Sequence, residues 1–216
     1  MRTTFSSEDQ QITIDLFSPE RPGSYPIVCA LHGSGGLQHA GHLEFAQLLA
    51  NQGFFVCVPH YFESTGTYWA DSTTIWREFP TWMRAISDGL DYTCTQPKAD
   101  CSRIALVGFS LGAYLALSLG SEQSRIGAIV DFFGGMPDHF GDKLQQIAPV
   151  LILHGETDPV VPVSEAHKLA RLLDRRSFPY EMKLYPNAGH GFRGFDMMDA
   201  GQRTFHFLRR HLSNGA

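Results

Sequence analysis

The chain has 216 residues, of which 43% are hydrophobic and 18% charged, and its 17 basic and 22 acidic residues give a formal net charge of −5. This composition is typical of a water-soluble globular protein and excludes a disordered chain. Neither half of the chain is basic, so we expect no nucleic acid as a partner. No apolar run approaches the ~18 residues that cross a bilayer, so we expect no membrane association.

Apolar runs with strand character alternate along the chain with segments of helical periodicity. Strands are predicted at Ile12 to Phe17, Ile27 to Leu31, Phe54 to Pro59, Ile104 to Phe109, Ile126 to Phe133, Val150 to Leu153 and Tyr180 to Tyr185, and helices at Leu43 to Leu49, from about Leu111, from about Ser164 to Arg175 and from about Asp199 to His211. This alternation predicts an α/β protein with a mostly parallel, twisted sheet and helices on both faces. The length fits one domain over residues 1–216.

The cysteines and the N-terminal residues bear on the cellular compartment. The first residues carry one Arg and no apolar stretch of the length that a signal peptide needs, so no export is expected. Cys29 and Cys57 lie in predicted strands, whereas Cys94 and Cys101 lie at a helix end and in a loop, without C-x-x-C spacing. We interpret the cysteines as reduced and mostly structural, which agrees with a cytoplasmic location. A Cys94–Cys101 bridge is the alternative that the sequence leaves open.

A candidate nucleophile lies where a predicted strand ends and a helix begins. Residues 108–112 read Gly-Phe-Ser-Leu-Gly, a G-x-S-x-G sequence centred on Ser110. A tight turn of this kind lifts the serine Oγ out of the sheet, and it needs glycines because side chains there would collide with neighbouring backbone. The N–H groups at the start of the helix favour a developing negative charge. We therefore predict that Ser110 is a nucleophile; an ordinary helix-capping serine is the alternative.

A serine nucleophile needs a base, and the base needs an acceptor that fixes its tautomer. His190 lies in a glycine-flanked loop after the last predicted strand, and Asp158 follows the end of another strand. The chain order Ser110, Asp158, His190 is the one expected for an α/β-hydrolase, so we predict these three residues as a catalytic triad. A turn aspartate before proline is the alternative for Asp158. Asp131, near the end of the preceding strand, is the reserve acid.

Acyl transfer also needs donors for the oxyanion of the tetrahedral intermediate. The backbone N–H of Leu111, next to the nucleophile, is one predicted donor. The loop His32-Gly33-Ser34-Gly35-Gly36 follows an early strand, and its glycines let the backbone approach a substrate. We assign the second donor to the N–H of Ser34, with Gly35 as a neighbour that could substitute. A flexible glycine-rich turn is the alternative.

Taken together, these motifs resemble the α/β-hydrolase superfamily and, within it, the dienelactone hydrolase family, over about Ile12 to Leu212. The resemblance implies an α/β-hydrolase fold with little or no cap and a hydrolase that uses a triad. The eponymous enzymes use a cysteine nucleophile, so Ser110 points to serine esterase-like members. The motifs that carry the resemblance are Leu31-His32-Gly33, the stretch from Gly53 to Pro59, Gly108 to Gly112, Phe132-Phe133-Gly134-Gly135, the stretch from His154 to Pro162, and Ala188 to Phe192.

Substrate recognition is where the chain departs from this family. Its enzymes bind a substrate carboxylate with arginines near the loop after Pro59 and after the histidine. Residues 59–63 contain no Arg here, and only Arg193 lies just past His190. The resemblance therefore assigns Arg193 to substrate binding and does not extend to the first arginine. His60 stands where the family often has Asp.

The stretch from Tyr61 to Trp82 fits the alternation of strands and helices least well, because seven aromatic residues stand among Gly, Ser and Thr. It leaves a predicted strand whose end should lie on the same rim as the nucleophile, and irregular loops on that rim usually carry specificity. We predict that Tyr61 and Phe62 bind the substrate by walling an acyl pocket. For Trp76 and Trp82 the alternative is the core face of a helix.

Competing chemistries have weaker signals. His39 and His42 could lie one turn apart, but no third ligand stands at a recognisable spacing, so we expect no metal. No nucleotide-binding motif occurs, so we expect no cofactor. The sequence predicts a hydrolase of small carboxylic esters or lactones, present as a monomer or homodimer. A thioesterase or peptidase-like acyl hydrolase on the same triad, or a non-catalytic binding module of the same fold, is the alternative.

Overall fold

The computed structural model describes residues 1–38 and 41–213, so His39 of the candidate metal pair lies outside the described residues. The chain divides into two compact units, residues 1–104 and 105–216. The eight strands of the described residues form a mostly parallel sheet with helices, which confirms the predicted α/β architecture. Within the part of the chain just given, no helix is both long and apolar enough to cross a membrane. That residues 1–216 act as one domain stays a prediction.

Among the described residues, four strands lie wholly in the first unit, in the order β1-β2-β4-β3. β2 pairs antiparallel with both β1 and β4, whereas β3 and β4 are parallel. Helix α1 packs on β4, and α2 packs on β1 and β4. The elements are β1 (Arg2–Ser7), β2 (Gln10–Phe17), β3 (Tyr25–Leu31), α1 (His42–Asn51), β4 (Phe55–Pro59) and α2 (Ser72–Cys94), with short 3₁₀ turns at Gly36–Gln38 and Tyr61–Thr65.

The second unit holds β5, β6, β7 and β8 in that order, with parallel pairing of β6 with β7 and of β7 with β8. Helix α3 packs on β6, α5 on β7 and β8, and α6 on β6 and β7. Because the strand ends carry the loops, this pairing places the loops after β6, β7 and β8 side by side. The elements are β5 (Ala99–Phe109), which begins in the first unit, α3 (Leu111–Glu122), β6 (Ile126–Phe132), α4 (Asp138–Lys143), β7 (Val150–Gly155), α5 (Ser164–Arg176), β8 (Tyr180–Tyr185) and α6 (Gly194–Leu212).

Helix α2 corrects the expectation of an irregular stretch up to Trp82. The helix begins at Ser72, where the Asp71 side chain accepts a hydrogen bond of 2.8 Å from the Thr74 N–H and so caps it. Trp82 is fully buried on the core face, whereas Trp76 is 57% exposed. The helical alternative therefore holds for Trp82 as a core residue and not for Trp76.

Cys94 and Cys101 form a disulfide between the last residue of α2 and β5, with their Cα atoms 5.4 Å apart. The interpretation of all four cysteines as reduced is therefore wrong for this pair. A short turn brings the helix end and the strand start within bonding reach, which composition and spacing do not reveal. Cys29 and Cys57 are free, buried and opposite each other across β3 and β4.

Asp131 is a buried carboxyl group on β6. Its Oδ1 accepts a hydrogen bond of 2.8 Å from the Gly134 N–H, and Oδ2 has no partner among the described residues. Burial raises the pKa of Asp131 from 3.8 to about 7, against the opposing effect of that N–H donor. The carboxyl therefore keeps its proton in the folded chain well above the pH at which an unfolded chain loses it.

Removing the disulfide should destabilise the fold. Replacing Cys94 and Cys101 with serine should lower the free energy of unfolding by about 2 kcal/mol, because the unfolded chain regains the freedom that the cross-link removes. Urea unfolding measures the loss. A reducing agent should lower the free energy of unfolding of the natural protein by the same amount and leave that of the double variant unchanged. Equal stability of the two proteins with and without the reducing agent would contradict the disulfide.

Asp131 should make stability depend on pH. The Asp131 carboxyl loses its proton near pH 3.8 in the unfolded chain and near pH 7 in the folded chain. Its contribution to the free energy of unfolding is therefore fully present below pH ~4 and is lost as the pH rises to ~7. At about 1.4 kcal/mol per pKa unit, the loss is on the order of 4 kcal/mol. The melting temperature of Asp131→Asn should therefore rise relative to the natural protein between pH 4 and 8. A difference that stays constant over this range would contradict the assignment.

Candidate active site

Ser110 lies at the junction of β5 and α3 in an unusual backbone conformation. Its φ is 54° and its ψ −117°, a region that residues other than glycine rarely adopt. The Ser110 N–H donates a hydrogen bond of 2.9 Å to the carbonyl oxygen of Phe132 at the end of β6. This bond ties the turn to the neighbouring strand and fixes the direction of the serine side chain.

Two glycines make room for this turn. A Cβ at Gly108 would overlap the backbone of Gly112 and Ala113, and a Cβ at Gly134 would overlap the Ala113 side chain. The backbone of α3 therefore approaches β5 and the loop after β6 more closely than any side chain would allow. The close approach at Gly108 is the reason for the first glycine of the G-x-S-x-G pattern, and Gly134 serves the same approach from outside the pattern.

The structure brings the three predicted triad residues together, all in the second unit. His190 Nε2 lies 2.9 Å from Ser110 Oγ, and His190 Nδ1 lies 2.8 Å from Asp158 Oδ2. With the proton on Nδ1, His190 donates to the carboxylate and accepts from the serine hydroxyl. The His190 side chain is 21% exposed and that of Asp158 fully buried. The reserve acid, Asp131, is bound by Gly134 instead.

The loop after β7 orients Asp158. Asp158 Oδ1 accepts backbone N–H groups of Val160 and Val161 at 2.8 and 2.9 Å, which leaves Oδ2 for His190. The same loop is bonded to the loop after β8, since Thr157 donates both its N–H and its hydroxyl to the Ala188 carbonyl oxygen, at 3.1 and 2.9 Å. The acid and the base are therefore held by loops that contact each other directly.

Phe133 is a residue of the site to which the sequence analysis gives no role. Its φ is 44°, and its ring lies edge to face with the His190 imidazole, with centroids 4.9 Å apart. Phe192 packs against the Phe133 ring in turn, at 5.4 Å. The only sequence signal is the Phe-Phe-Gly-Gly motif of the family resemblance, which gives no function for the aromatic ring.

The two predicted oxyanion donors lie in different units. Leu111 is the first residue of α3 and directly follows the nucleophile. Ser34 lies in the loop after β3, where its carbonyl oxygen accepts the Ala70 N–H at 3.0 Å and the Gly36 N–H donates to the Gly33 oxygen. The loop backbone is thus bonded within the first unit, and the role of both donors stays a prediction.

Of the predicted substrate-binding residues, two are buried and one is exposed. Tyr61 has no exposed surface; its hydroxyl donates to the His32 carbonyl oxygen at 2.6 Å, and its ring stacks on the His32 imidazole at 4.1 Å. Phe62 is 4% exposed and packs on Trp82 at 4.5 Å. Arg193 is exposed and precedes α6. That these three residues bind substrate stays a prediction.

His60, which stands where the resembled family often has Asp, belongs to a charge network of the first unit. Its Nε2 lies 2.9 Å from Asp15 Oδ2, and its Nδ1 lies 3.4 Å from Glu63 Oε1. The Arg2 guanidinium binds both Asp15 oxygens, each at 2.8 Å. His60 therefore links β1 and β2 to the turn after β4.

Known proteins match the chain in both sequence and structure. The model of the dienelactone hydrolase family matches residues 12–200. Human mitochondrial acyl-coenzyme A thioesterase 2 is 26% identical over 199 residues, which are 89% of this chain and only 36% of the human protein, so the chain spans about a third of this relative. Among described residues, no group of three or more His, Cys, Asp or Glu could hold a metal ion.

Solved structures share the fold at low identity. The dienelactone hydrolase-like promiscuous phosphotriesterase P91 from metagenomic libraries superposes with a TM-score of 0.84 at 18% identity, covering 99% of this chain and 98% of P91. Acylaminoacyl peptidase from Pyrococcus horikoshii gives a TM-score of 0.85 at 16% identity, covering 100% of this chain and 42% of the peptidase. From the family match over most of its length, this chain belongs to the dienelactone hydrolase family.

Proposed function

We propose that this protein is a serine hydrolase that cleaves small carboxylic esters or lactones through an acyl-enzyme on Ser110. One observation carries the proposal: an unbroken line of hydrogen bonds from Ser110 Oγ through His190 to Asp158. Membership of a family of hydrolases supports it. The distances are those at which a base takes a proton from a serine hydroxyl and an acid steadies the base.

In the proposed reaction, His190 Nε2 takes the hydroxyl proton as Ser110 Oγ attacks the substrate carbonyl carbon. The carbonyl oxygen becomes an oxyanion, for which the N–H of Leu111 and, by prediction, that of Ser34 are the donors. Asp158 stabilises the imidazolium, which then gives its proton to the leaving alkoxide as the acyl-enzyme forms. Water, deprotonated by His190, releases the acid and restores the hydroxyl.

A thioesterase is the second candidate, because the human relative named above is an acyl-coenzyme A thioesterase. The same triad serves a thioester, since the attack and the oxyanion are the same and only the leaving group changes. A peptidase-like activity and a non-catalytic binding module are weaker alternatives. The bonded Ser110, His190 and Asp158 speak against the module, because binding alone needs no such line of bonds.

Partners, oligomeric state and location are proposals as well. We infer a small-molecule substrate, no nucleic acid or membrane partner, and a monomer or homodimer. A cytoplasmic location is the expectation from the sequence, but the Cys94–Cys101 disulfide favours an oxidising compartment. Mass spectrometry of thiol-alkylated protein from its native source would separate the two locations.

Ser110→Ala should lower kcat by roughly 10⁴- to 10⁶-fold and leave the fold intact. A fluorophosphonate probe should label the natural protein and not this variant. Ser118→Ala is a matched control. Ser118 is a buried serine in helix α3, which follows Ser110, and its hydroxyl has no partner among the described residues. The control should keep both activity and labelling. Undiminished hydrolysis by Ser110→Ala would refute the acyl-enzyme.

A matched pair of substrates separates the two candidate functions. One short acyl group is offered on a nitrophenol and on coenzyme A, and kcat/KM is measured for both. If the protein is an esterase, it should cleave the nitrophenyl ester, and kcat/KM should gain nothing when coenzyme A is the leaving group. A kcat/KM at least tenfold higher for the coenzyme A thioester, the size of about 1.4 kcal/mol of differential binding, would favour the thioesterase instead.

A further inference from the structure

His154 is a buried histidine on β7 that the proposed reaction does not use. Its side chain has no exposed surface, and Nε2 lies 2.9 Å from the carbonyl oxygen of Val161. A carbonyl oxygen only accepts hydrogen bonds, so Nε2 carries the ring proton. Burial lowers the pKa of His154, so the ring is neutral and its single proton is committed to this bond.

Packing alone does not account for an imidazole at this place. With the proton on Nε2, Nδ1 is an acceptor, and it is buried without a partner among the described residues. An unpaired buried nitrogen costs stability that an apolar side chain of similar size would not cost. The hydrogen bond to Val161 therefore accounts for a histidine at this place better than packing does.

Val161 connects His154 to the catalytic acid. The Val161 carbonyl oxygen accepts from His154 Nε2, while the Val161 N–H donates to Asp158 Oδ1 at 2.9 Å. The two groups belong to one residue and are separated only by its φ and ψ rotations, so a hydrogen bond that holds the carbonyl restricts the direction of the N–H. The line of hydrogen bonds thus runs from His154 through Val161 and Asp158 to His190 and Ser110.

His154 does not compete with His190 for the carboxylate. Its Nε2 lies 3.6 Å from Asp158 Oδ2, beyond hydrogen-bond distance, whereas His190 Nδ1 lies 2.8 Å from the same oxygen. Asp158 therefore has one oxygen held by the loop backbone and the other directed at the base.

We propose that His154 is a positioning residue, which holds Val161 so that Asp158 presents Oδ2 to His190. The proposal rests on the proposed function of Ser110, His190 and Asp158 as a triad. His154 touches neither the substrate nor the reacting atoms in this role. Its effect on the reaction passes through the orientation of Asp158.

Three variants test the role. His154→Phe keeps a planar ring and removes the donor, whereas His154→Gln offers an amide N–H near the place of Nε2. Thr204→Val is the matched control, because Thr204 is fully buried in the same unit and the variant loses the hydrogen bond of 2.8 Å from its hydroxyl to the Ala200 carbonyl oxygen, within helix α6. Melting temperatures of all three are measured alongside kcat and KM for a nitrophenyl ester.

The expected results distinguish a loss of kcat through misplaced Asp158 from a loss of fold stability. His154→Phe should lower kcat by roughly 10- to 100-fold with KM unchanged, because a small misplacement of a catalytic group costs that much. His154→Gln should restore most of kcat, and Thr204→Val should lower the melting temperature while leaving kcat as it is. If His154→Phe does not fold, His154→Asn, whose amide falls one bond short of Val161, replaces it with the same expected loss.

A second readout needs no substrate. The proton of His190 Nδ1, bonded to a carboxylate, gives a far-downfield proton NMR resonance that is assigned by its loss in His190→Gln. That resonance should be present in the natural protein and in His154→Gln, and broadened or absent in His154→Phe. If the natural protein shows it but hydrolyses nothing, the proposed function fails and the positioning of Asp158 is still tested.

Two outcomes would overturn the proposal. One is a folded His154→Phe, or its His154→Asn replacement, with the kcat and the downfield resonance of the natural protein. The other is a folded His154→Gln that regains neither, since a donor to Val161 would then not be what matters.

Discussion

The hydrogen bond from the Ser110 N–H to the Phe132 carbonyl oxygen is the interaction on which the site depends. It holds the serine at a positive φ, which costs conformational energy that the surrounding packing has to offset. The glycines at 108 and 134 remove the side chains that would push α3 away from the sheet. Without this close approach the serine Oγ would not reach His190.

The acid and the base depend on a second constraint, the contact between the loops after β7 and β8. The Ala188 carbonyl oxygen accepts two hydrogen bonds from Thr157. Gly155 has no Cβ, so the backbone of the two loops can approach closely at this point. A movement of either loop therefore carries the other with it. The distance between Asp158 and His190 is therefore supported by the contacts between their loops as well as by their own hydrogen bond.

Much of the site could be predicted from sequence, because Ser110, Asp158 and His190 each stand in the turn or loop after an apolar strand and within two residues of a glycine or proline. Parallel strands collect such positions at one edge of a sheet, so the order of motifs predicts their proximity. His154 escaped prediction because it lies inside a strand, where a polar residue in an apolar run has no motif. Phe133 escaped because a positive φ is visible only in the backbone.

Other features could not be predicted because they depend on tertiary contacts. Pro80 argues against a helix through this stretch, because proline normally interrupts a helix, but here it lies inside α2. The Cys94–Cys101 bond depends on where a helix ends relative to the next strand. The burial of Tyr61 depends on the histidine on which it stacks, and no local pattern shows that partner.

The way in which Asp158 is held has a consequence for variation of this chain. Its Oδ1 is bound by main-chain N–H groups, and the side chain of Val160, one of the two donors, is 64% exposed. Any residue except proline supplies the same N–H, so the side chain at this position is free to change in size, charge or chemistry. A fluorophore or an immobilisation linker attached at residue 160 would stand two residues beyond the Asp158 carboxylate and leave its hydrogen bonds in place.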